Sequence, residues 1–257
     1  MLPNVDDGSD SLEMSLVMLR HASEQGITDV VNTVHYQHPK VETEDISFER
    51  IQKEVKFLQI ELDNNDIPIR IHCGAEVFFL PNLLEIKDDP LATFIHGKYM
   101  LIEFQVHQIP RIQKQQLFAL KMAGVTPIIA HPERYKQVQD DIKIVAEWLE
   151  AGCLIQIDAG SPLGYLGSKS QVASEKIIKN GWCQVIGSDS HDEKRRNFCL
   201  AESVDFIRNW IGDSVDTMVK DNPKSILIGD KIQVDNEYQT DESPHFFSRI
   251  KSKFGLS

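Results

Sequence analysis

The sequence CQVIGSDSH, residues 183–191, is a short apolar run that ends in a carboxylate and an imidazole. We interpret this run as a β-strand. Because side chains two residues apart point to the same face of a strand, Asp189 and His191 are expected to converge on one point. Zinc, manganese and iron all accept mixed oxygen and nitrogen ligands. The spacing alone is common in proteins, so the remaining sequence has to decide whether a metal site is present.

Similar strand patterns precede this run and alternate with helical ones, which predicts parallel strands joined by crossover helices. We therefore predict an α/β fold and favour a (β/α) barrel, with an open doubly wound sheet as the alternative. The strand candidates are residues 27–35, 69–79, 98–105, 126–133, 153–160 and 183–191.

Apolar residues at helical spacing separate these strands. Asp10 followed by Glu13 predicts a capping box at the start of the first helix. Glycines that follow helical patterns and precede strands predict helix ends. The helical stripes are Leu12, Leu16 and Leu19; Ile51, Val55, Leu58 and Leu62; and Ile142, Val145, Ala146 and Leu149. The glycines are Gly26, Gly124, Gly152 and Gly181.

Composition limits the function classes. The 257 residues carry a formal net charge of −12, which disfavours a broad nucleic-acid-binding face. The four cysteines lie far apart without a CxxC pair, as is typical of reduced thiols in the cytoplasm. No apolar run approaches the roughly 20 residues that span a bilayer. We expect a cytoplasmic protein without a transmembrane segment and without a nucleic-acid partner.

Residues 1–234 are predicted to form one domain, followed by a polar linker and a basic amphipathic tail at residues 235–257. The tail places aromatic residues on one helical face with basic residues around it. It is interpreted as a terminal helix packed on its own domain or a frayed end, and a membrane-surface or partner-docking helix is the alternative.

Polar residues recur where the predicted strands end, which is the active face of a (β/α) barrel. Burying several acids and imidazoles together costs several kcal/mol each unless cations neutralise them. Two ions a few ångströms apart would clamp a phosphoryl group and activate water. Asp6 lies on the same loop as Asp7, and His38 is expected to touch substrate without being a ligand. The candidate metal ligands are Asp7, His35, Glu76, Glu103, His131, Asp189 and His191.

Two arginines follow the candidate ligands. Arg134 lies in AHPERY and Arg196 in SDSHDEKRRNF. A guanidinium fork matches phosphate oxygens bidentately, so both are candidates to orient a phosphoester over the metals. Arg195 competes with Arg196 for this role, and spacing does not choose between them.

Together, the segments VDDG, GAEVFF, LIEF, IIAHPERY, QIDAGSPLG and IGSDSH, with His35, resemble the bacterial tyrosine phosphatases of the polymerase-and-histidinol-phosphatase (PHP) superfamily, those encoded with capsule and exopolysaccharide genes. The resemblance covers roughly residues 3–230. It implies a metal-dependent protein-tyrosine phosphatase on a distorted (β/α)7 TIM-like barrel, usually with manganese. Such enzymes use a metal-activated hydroxide and oppose a bacterial tyrosine autokinase, whose phosphorylated C-terminal tail would be the substrate. In agreement, no arginine stands six residues after any cysteine.

The resemblance also implies a role for each candidate. Glu76 would bridge two ions, Glu103 and His131 would complete one site, and Arg134 and Arg196 would contact phosphate. Asp7, His35 and His191 would hold a second ion, and Asp189 a third.

The start of the chain departs from the family pattern. The family opens with a strand that bears Asp-x-His-x-His, whereas this chain begins Met1-Leu2-Pro3-Asn4. We therefore expect poor binding of the ion that Asp189 would hold. The alternative functions are another PHP phosphoesterase acting on small molecules, and a catalytically impaired module that binds the kinase.

Overall fold

The structure, a computed structural model, describes residues 1–41, 46–232 and 234. Its centre is a six-stranded parallel sheet with the order β1-β2-β3-β4-β5-β6, which curls into a half-barrel. Because the order never reverses, the doubly wound alternative is wrong. The strands are β1 Asp29–Tyr36, β2 Arg70–Phe78, β3 Tyr99–Glu103, β4 Thr126–Ala130, β5 Leu154–Asp158 and β6 Val185–Gly187.

Helices connect the strands, and the three predicted apolar stripes lie on them, except that Ile142 is the N-cap of the helix that follows it. The first helix is capped by Ser11, whose hydroxyl accepts from the Met14 N–H at 3.1 Å. The helix cap is therefore Ser11, one residue later than the sequence predicted, and the capping box predicted at Asp10 is wrong. Within the described ranges, no helix is both long and apolar enough to cross a membrane. The helices are α1 Leu12–Glu24, α2 Phe48–Asn64, α3 Gln113–Met122, α4 Lys136–Asp140, α5 Lys143–Glu150, α6 Ser168–Lys179, α7 Leu200–Ile211 and α8 Asn222–Ile228.

All six predicted strands are present, but the last is much shorter than the sequence indicates. β6 ends at Gly187, and Asp189 then adopts a left-handed backbone with φ of 43°. Because the chain is no longer extended there, the same-face rule for alternate residues does not apply. The expectation that Asp189 and His191 share one strand face is wrong.

The sheet separates two apolar cores. The convex face packs against the helices through residues such as Ile129 and Ile157. The concave face carries the alternate residues of the strands and buries a smaller cluster. That inner core consists of Phe94, Tyr99, Leu101, Ile128, Ala130, Leu154, Val185, Ile226 and Ile232.

Residues 226–232 close the lower end of the inner core, where the strands begin. The Tyr99 hydroxyl donates to the Asp230 carbonyl at 2.5 Å and accepts from the Ile232 N–H at 3.2 Å. Lys98 Nζ donates to the Gly229 carbonyl at 2.8 Å. The tail predicted at residues 235–257 lies outside the described residues.

Toward the carboxyl ends of the strands, the concave face changes from apolar to charged. The alternation that points Leu101 inward also points Glu103 inward, and Leu154 is followed at the same parity by Asp158. The N-terminal segment closes in beside β1, where the Leu2 N–H donates to Asn32 Oδ1 at 3.2 Å. The fold therefore gathers polar side chains at one end of the half-barrel.

Candidate metal centre

Glu76 lies between two imidazoles at the charged end of the sheet. His35 and Glu76 are register partners on β1 and β2. Glu76 Oε2 lies 3.6 Å from His35 Nε2, and Glu76 Oε1 lies 3.3 Å from His131 Nε2. All three side chains are buried. One carboxylate therefore presents an oxygen to each of two histidines, an arrangement that would suit a ligand shared by two cations.

Glu103 extends this cluster from β3. Its Oε1 lies 3.5 Å from His131 Nε2, and its Oε2 lies 3.7 Å from His38 Nε2. Burial and the charge of Glu76 raise the pKa of Glu103. Its buried Oε2 has no hydrogen-bond partner among the described residues. Buried polar atoms are almost always paired, so this oxygen is suited to a cation.

The N-terminal loop brings two carboxylates to His35. Asp6 Oδ1 lies 2.5 Å from His35 Nδ1, and Asp6 Oδ2 accepts the His35 backbone N–H at 2.7 Å. This contact orients the ring so that Nε2 faces Glu76. Asp7 Oδ1 lies 3.2 Å from His35 Nδ1 and 3.5 Å from His191 Nε2.

Electrostatics keeps the metal-free imidazoles protonated. Burial alone would lower the pKa of His35, but its hydrogen bonds to Asp6 and Asp7 and the charge of Glu76 raise that pKa to about 10. Burial and the Arg134 charge would lower the pKa of His131, yet the hydrogen bond to Glu76 and its charge raise it to about 9. In the metal-free protein, the protons on these imidazoles therefore balance the carboxylate charges that bound cations would otherwise balance.

Asp189 holds both candidate phosphate-binding arginines. Arg134 NH1 donates to Asp189 Oδ2 at 2.6 Å, and Arg196 NH2 donates to the same oxygen. Although burial opposes it, the charges of His131, Arg196 and Arg134 lower the pKa of Asp189. Arg195, which spacing could not separate from Arg196, is exposed and lines the cavity beside this pair.

The structure adds residues that sequence reasoning did not include in the ligand set. Asp6 and His38 lie within the cluster. Asp158 is buried beside Arg134, with Oδ2 3.9 Å from Arg134 NH1. Burial and the neighbouring charges of Asp189 and Glu133 raise the pKa of Asp158 to about 8. The sequence shows Asp158 in QIDAG at the end of a predicted strand, but it does not show which face of that strand the side chain occupies.

Three groups of side chains bring their ligand atoms within 4.8 Å of one another. The donors are carboxylate oxygens and imidazole nitrogens, which fits manganese, iron or zinc rather than a thiolate-selective ion. Neither Asp189 nor His191 belongs to the groups found among the described residues, and the assignment of ligands to individual ions stays a prediction. The groups are Asp6, Asp7 and His35; His35, His38 and Glu103; and Glu76, Glu103 and His131.

Comparison with known families identifies the chain. The family model for capsular polysaccharide synthesis proteins, CpsB/CapC, matches residues 1–228. The chain belongs to this family. Its relatives include a putative tyrosine-protein phosphatase, CapC, from Staphylococcus aureus, which is 30% identical over 261 residues covering 100% of this chain and 97% of the relative.

Two further relatives are described as tyrosine-protein phosphatases. YwqE from Bacillus subtilis (strain 168) is 27% identical, with 88% of this chain and 89% of the relative covered. CpsB from Streptococcus pneumoniae is 29% identical, with 88% and 94% covered. The resemblance drawn from the sequence motifs is confirmed.

A solved structure of the same family supports the fold. It comes from the crystal structures of YwqE and CpsB, described as unique metal-dependent tyrosine phosphatases. The TM-score is 0.85 at 27% identity, with 90% of this chain and 93% of the solved chain covered. The α/β class with a curled parallel sheet is therefore confirmed.

Proposed function

We propose that this protein is a metal-dependent protein-tyrosine phosphatase that hydrolyses phosphotyrosine in the regulation of capsular or exopolysaccharide synthesis. The observation that carries the proposal is the buried Glu76 carboxylate, which presents one oxygen to His35 and the other to His131. Beside it, two arginines converge on the single carboxylate of Asp189. Metal-bridging carboxylates next to an arginine pair suit the cleavage of a phosphate monoester.

Two sets of side chains would hold the ions, with Glu76 shared between them. Glu103 and His131 complete the first set, and Asp7, His35 and His191 the second. Divalent ions held there would supply a water of lowered pKa and would neutralise charge on the phosphoryl oxygens. We propose manganese, as the family resemblance implies, and the oxygen and nitrogen donors without a thiolate are compatible with it.

Arg134 and Arg196 would bind the phosphoryl oxygens. They come from different loops, one after β4 and the other after β6, and approach the same point from two sides. A guanidinium group presents parallel N–H donors that match two oxygens of a phosphate. Their cationic charge also stabilises the charge that develops in the transition state.

A cysteine nucleophile does not fit the described residues. Burial raises the pKa of Cys153, Cys183 and Cys199 to about 12, and it also raises the pKa of Cys73. Such thiols remain protonated near neutral pH, whereas cysteine-dependent catalysis needs a thiolate. We therefore expect activity to resist thiol alkylation.

The wider setting of this function is also a proposal. The sheet would be part of a distorted (β/α)7 barrel within a domain of residues 1–234, located in the cytoplasm. The substrate would be a phosphotyrosine-bearing protein, and we propose the C-terminal tail of a bacterial tyrosine autokinase. The names of the CapC, YwqE and CpsB relatives support the phosphotyrosine substrate.

The test measures phosphate release from a phosphotyrosine peptide with manganese and with EDTA. Glu76→Gln should lower turnover by at least about 100-fold, since it weakens both sets of ligands. Manganese stoichiometry, measured by calorimetry, should fall in the same variant. The matched control is Glu85→Gln, which changes an exposed glutamate in the loop after β2.

Two outcomes would contradict the proposal. Full turnover of the peptide in EDTA would remove the role of the metal. A preference for histidinol phosphate or a dinucleotide over the phosphotyrosine peptide would show that the same scaffold performs another phosphoesterase reaction.

A further inference from the structure

A small cavity adjoins the arginine pair on the side of the β5–α6 loop. Its inner wall is charged and its rim includes an aromatic side chain. Arg196 NH2 contacts both the carboxylate and the backbone carbonyl of Asp189 along this wall. The residues that carry the argument are Asp158, Gly160, Tyr165, Leu166, Asp189 and Arg196, all of which line the cavity.

Tyr165 is exposed but held in place. Its side chain is 57% exposed, which is unusual for a large aromatic residue. Its hydroxyl donates to Glu202 Oε2 at 2.8 Å, and its backbone N–H donates to the Gly160 carbonyl at 3.0 Å. Polar contacts rather than burial therefore fix an exposed ring at the edge of the cavity.

Gly160 lies directly beside this ring. A Cβ at Gly160 would lie 3.5 Å from Tyr165 Cβ, 3.6 Å from Tyr165 Cδ2 and 3.3 Å from Asp158 Oδ1. The tyrosine thus packs directly over backbone, close to the carboxylate at the end of β5. This brings an aromatic surface and Arg196 to one cavity, beside the Asp189 carboxylate that Arg196 shares with Arg134.

We propose that Tyr165 binds the phenyl ring of the phosphotyrosine substrate and makes the site selective for aryl phosphates. The inference rests on the proposed function and identifies the residue that recognises the leaving group. With the phosphoryl group on Arg134 and Arg196, the phenyl ring of the substrate extends along the cavity rim toward Tyr165. Aromatic rings attract each other in offset-stacked or edge-to-face arrangements, and an alkyl phosphate has no ring to use this contact.

Other exposed aromatic residues lack this setting. Phe57 is 46% exposed on α2, and Phe206 is 38% exposed on α7, where its ring lies 5.1 Å from that of Trp210. Neither lines the cavity beside the arginines. Scattered exposed rings are normal on protein surfaces, so the shared cavity is what distinguishes Tyr165.

The experiment compares Tyr165→Ala, Tyr165→Phe and wild type in manganese. It measures KM and kcat for a phosphotyrosine peptide and the inhibition constant of inorganic phosphate. Loss of one aromatic contact should raise KM for the peptide about threefold to tenfold, with kcat changed less than about twofold. The phosphate inhibition constant should stay unchanged, because phosphate has no ring. Tyr165→Phe keeps the ring and the backbone contact to Gly160 but loses the hydrogen bond to Glu202, so it should recover part of the lost affinity.

Phe57→Ala is the matched control, since it removes an exposed ring on another side of the molecule. An unchanged KM in Tyr165→Ala would overturn the inference. Equal increases in KM and in the phosphate inhibition constant would also overturn it, because Tyr165 would then act through the phosphate site. Wild-type protein that does not hydrolyse the peptide would instead refute the proposed function on which the inference rests.

Discussion

Three residues of the candidate site adopt left-handed backbone conformations. The φ angles are 68° at Asp6, 31° at His131 and 43° at Asp189. For residues other than glycine this region costs on the order of 1 kcal/mol each and is often found where function fixes a side chain. Here it aims Asp6 at His35, His131 at Glu76, and Asp189 at the arginines.

Metal binding should release protons from two of the imidazoles. The pKa values of about 10 for His35 and about 9 for His131 lie above neutral, so both rings are protonated in the metal-free protein. Each proton must leave Nε2 before that atom can hold a cation. Manganese affinity should therefore rise with pH until these pKa values are passed, by up to about tenfold per pH unit for each proton released.

Calorimetry in two buffers with different ionisation enthalpies measures the number of protons released. His35→Gln should release about one proton fewer than wild type. His72→Gln is the control, because His72 Nε2 lies 2.8 Å from Asp29 at the opposite ends of the strands. A heat of binding that is independent of the buffer would contradict the expectation.

The ligand types could be predicted from the sequence, but the contacts between them could not. His35, Glu76 and Glu103 lie at strand ends, where the extended backbone and its alternation apply. Asp6, Asp189 and His191 lie in turns, where φ angles and side-chain directions depend on tertiary contacts. The pairing of Asp189 with two arginines and of Asp6 with His35 was therefore visible only in the structure.

At the scale of single elements, β2 shows how packing positions the site. Gly74 lies two residues before Glu76 and faces the same side of the sheet. A Cβ at Gly74 would lie 2.7 Å from Val31 Cγ1 and 2.8 Å from Phe94 Cδ1. The absence of a side chain allows the inner core to close directly beneath the Glu76 carboxylate.

Gly74→Ala should therefore destabilise the protein. The added methyl group overpacks the inner core, and we expect a loss of about 1–3 kcal/mol in the free energy of unfolding. Urea unfolding should show a lower midpoint with an unchanged m-value. Adding Val31→Ala should restore part of the loss, since it removes one of the two close contacts. A midpoint equal to that of wild type would contradict this reading of the core.

At the scale of the whole molecule, the inner core depends on residues far apart in sequence. Ile226 and Ile232 are both buried against residues of β3 to β6. A chain that ends at residue 225 should lose roughly 3–6 kcal/mol of stability, since burying each isoleucine contributes about 1.5–3 kcal/mol. A chain that ends at residue 234 keeps both isoleucines and is the reference for this loss.

Thermal unfolding of the two shortened chains tests this expectation, with circular dichroism as the measurement. The shorter chain should melt roughly 10 °C below the longer one. Equal melting temperatures would show that residues 226–232 contribute little to the core.

The sequence predicted the class of the fold because hydrophobic periodicity reports the elements directly. It predicted the six strands and the buried stripe of α2, and the structure confirms both. It did not predict how residues 226–232 pack, because two isolated isoleucines do not form a periodic pattern that would indicate a buried face. It also could not show that Asp158 completes the charged end of the sheet, since that depends on which face of β5 is concave.

The closure of the inner core by residues 226–232 affects how the protein matures during synthesis. Domains tend to fold as units while the chain emerges from the ribosome. The Tyr99 hydroxyl acquires its partners at Asp230 and Ile232 only after that segment has been translated and has left the exit tunnel. Until then, the end of the half-barrel at which the strands begin is open to water. A nascent chain that already contains all the candidate ligands therefore still lacks a complete inner core.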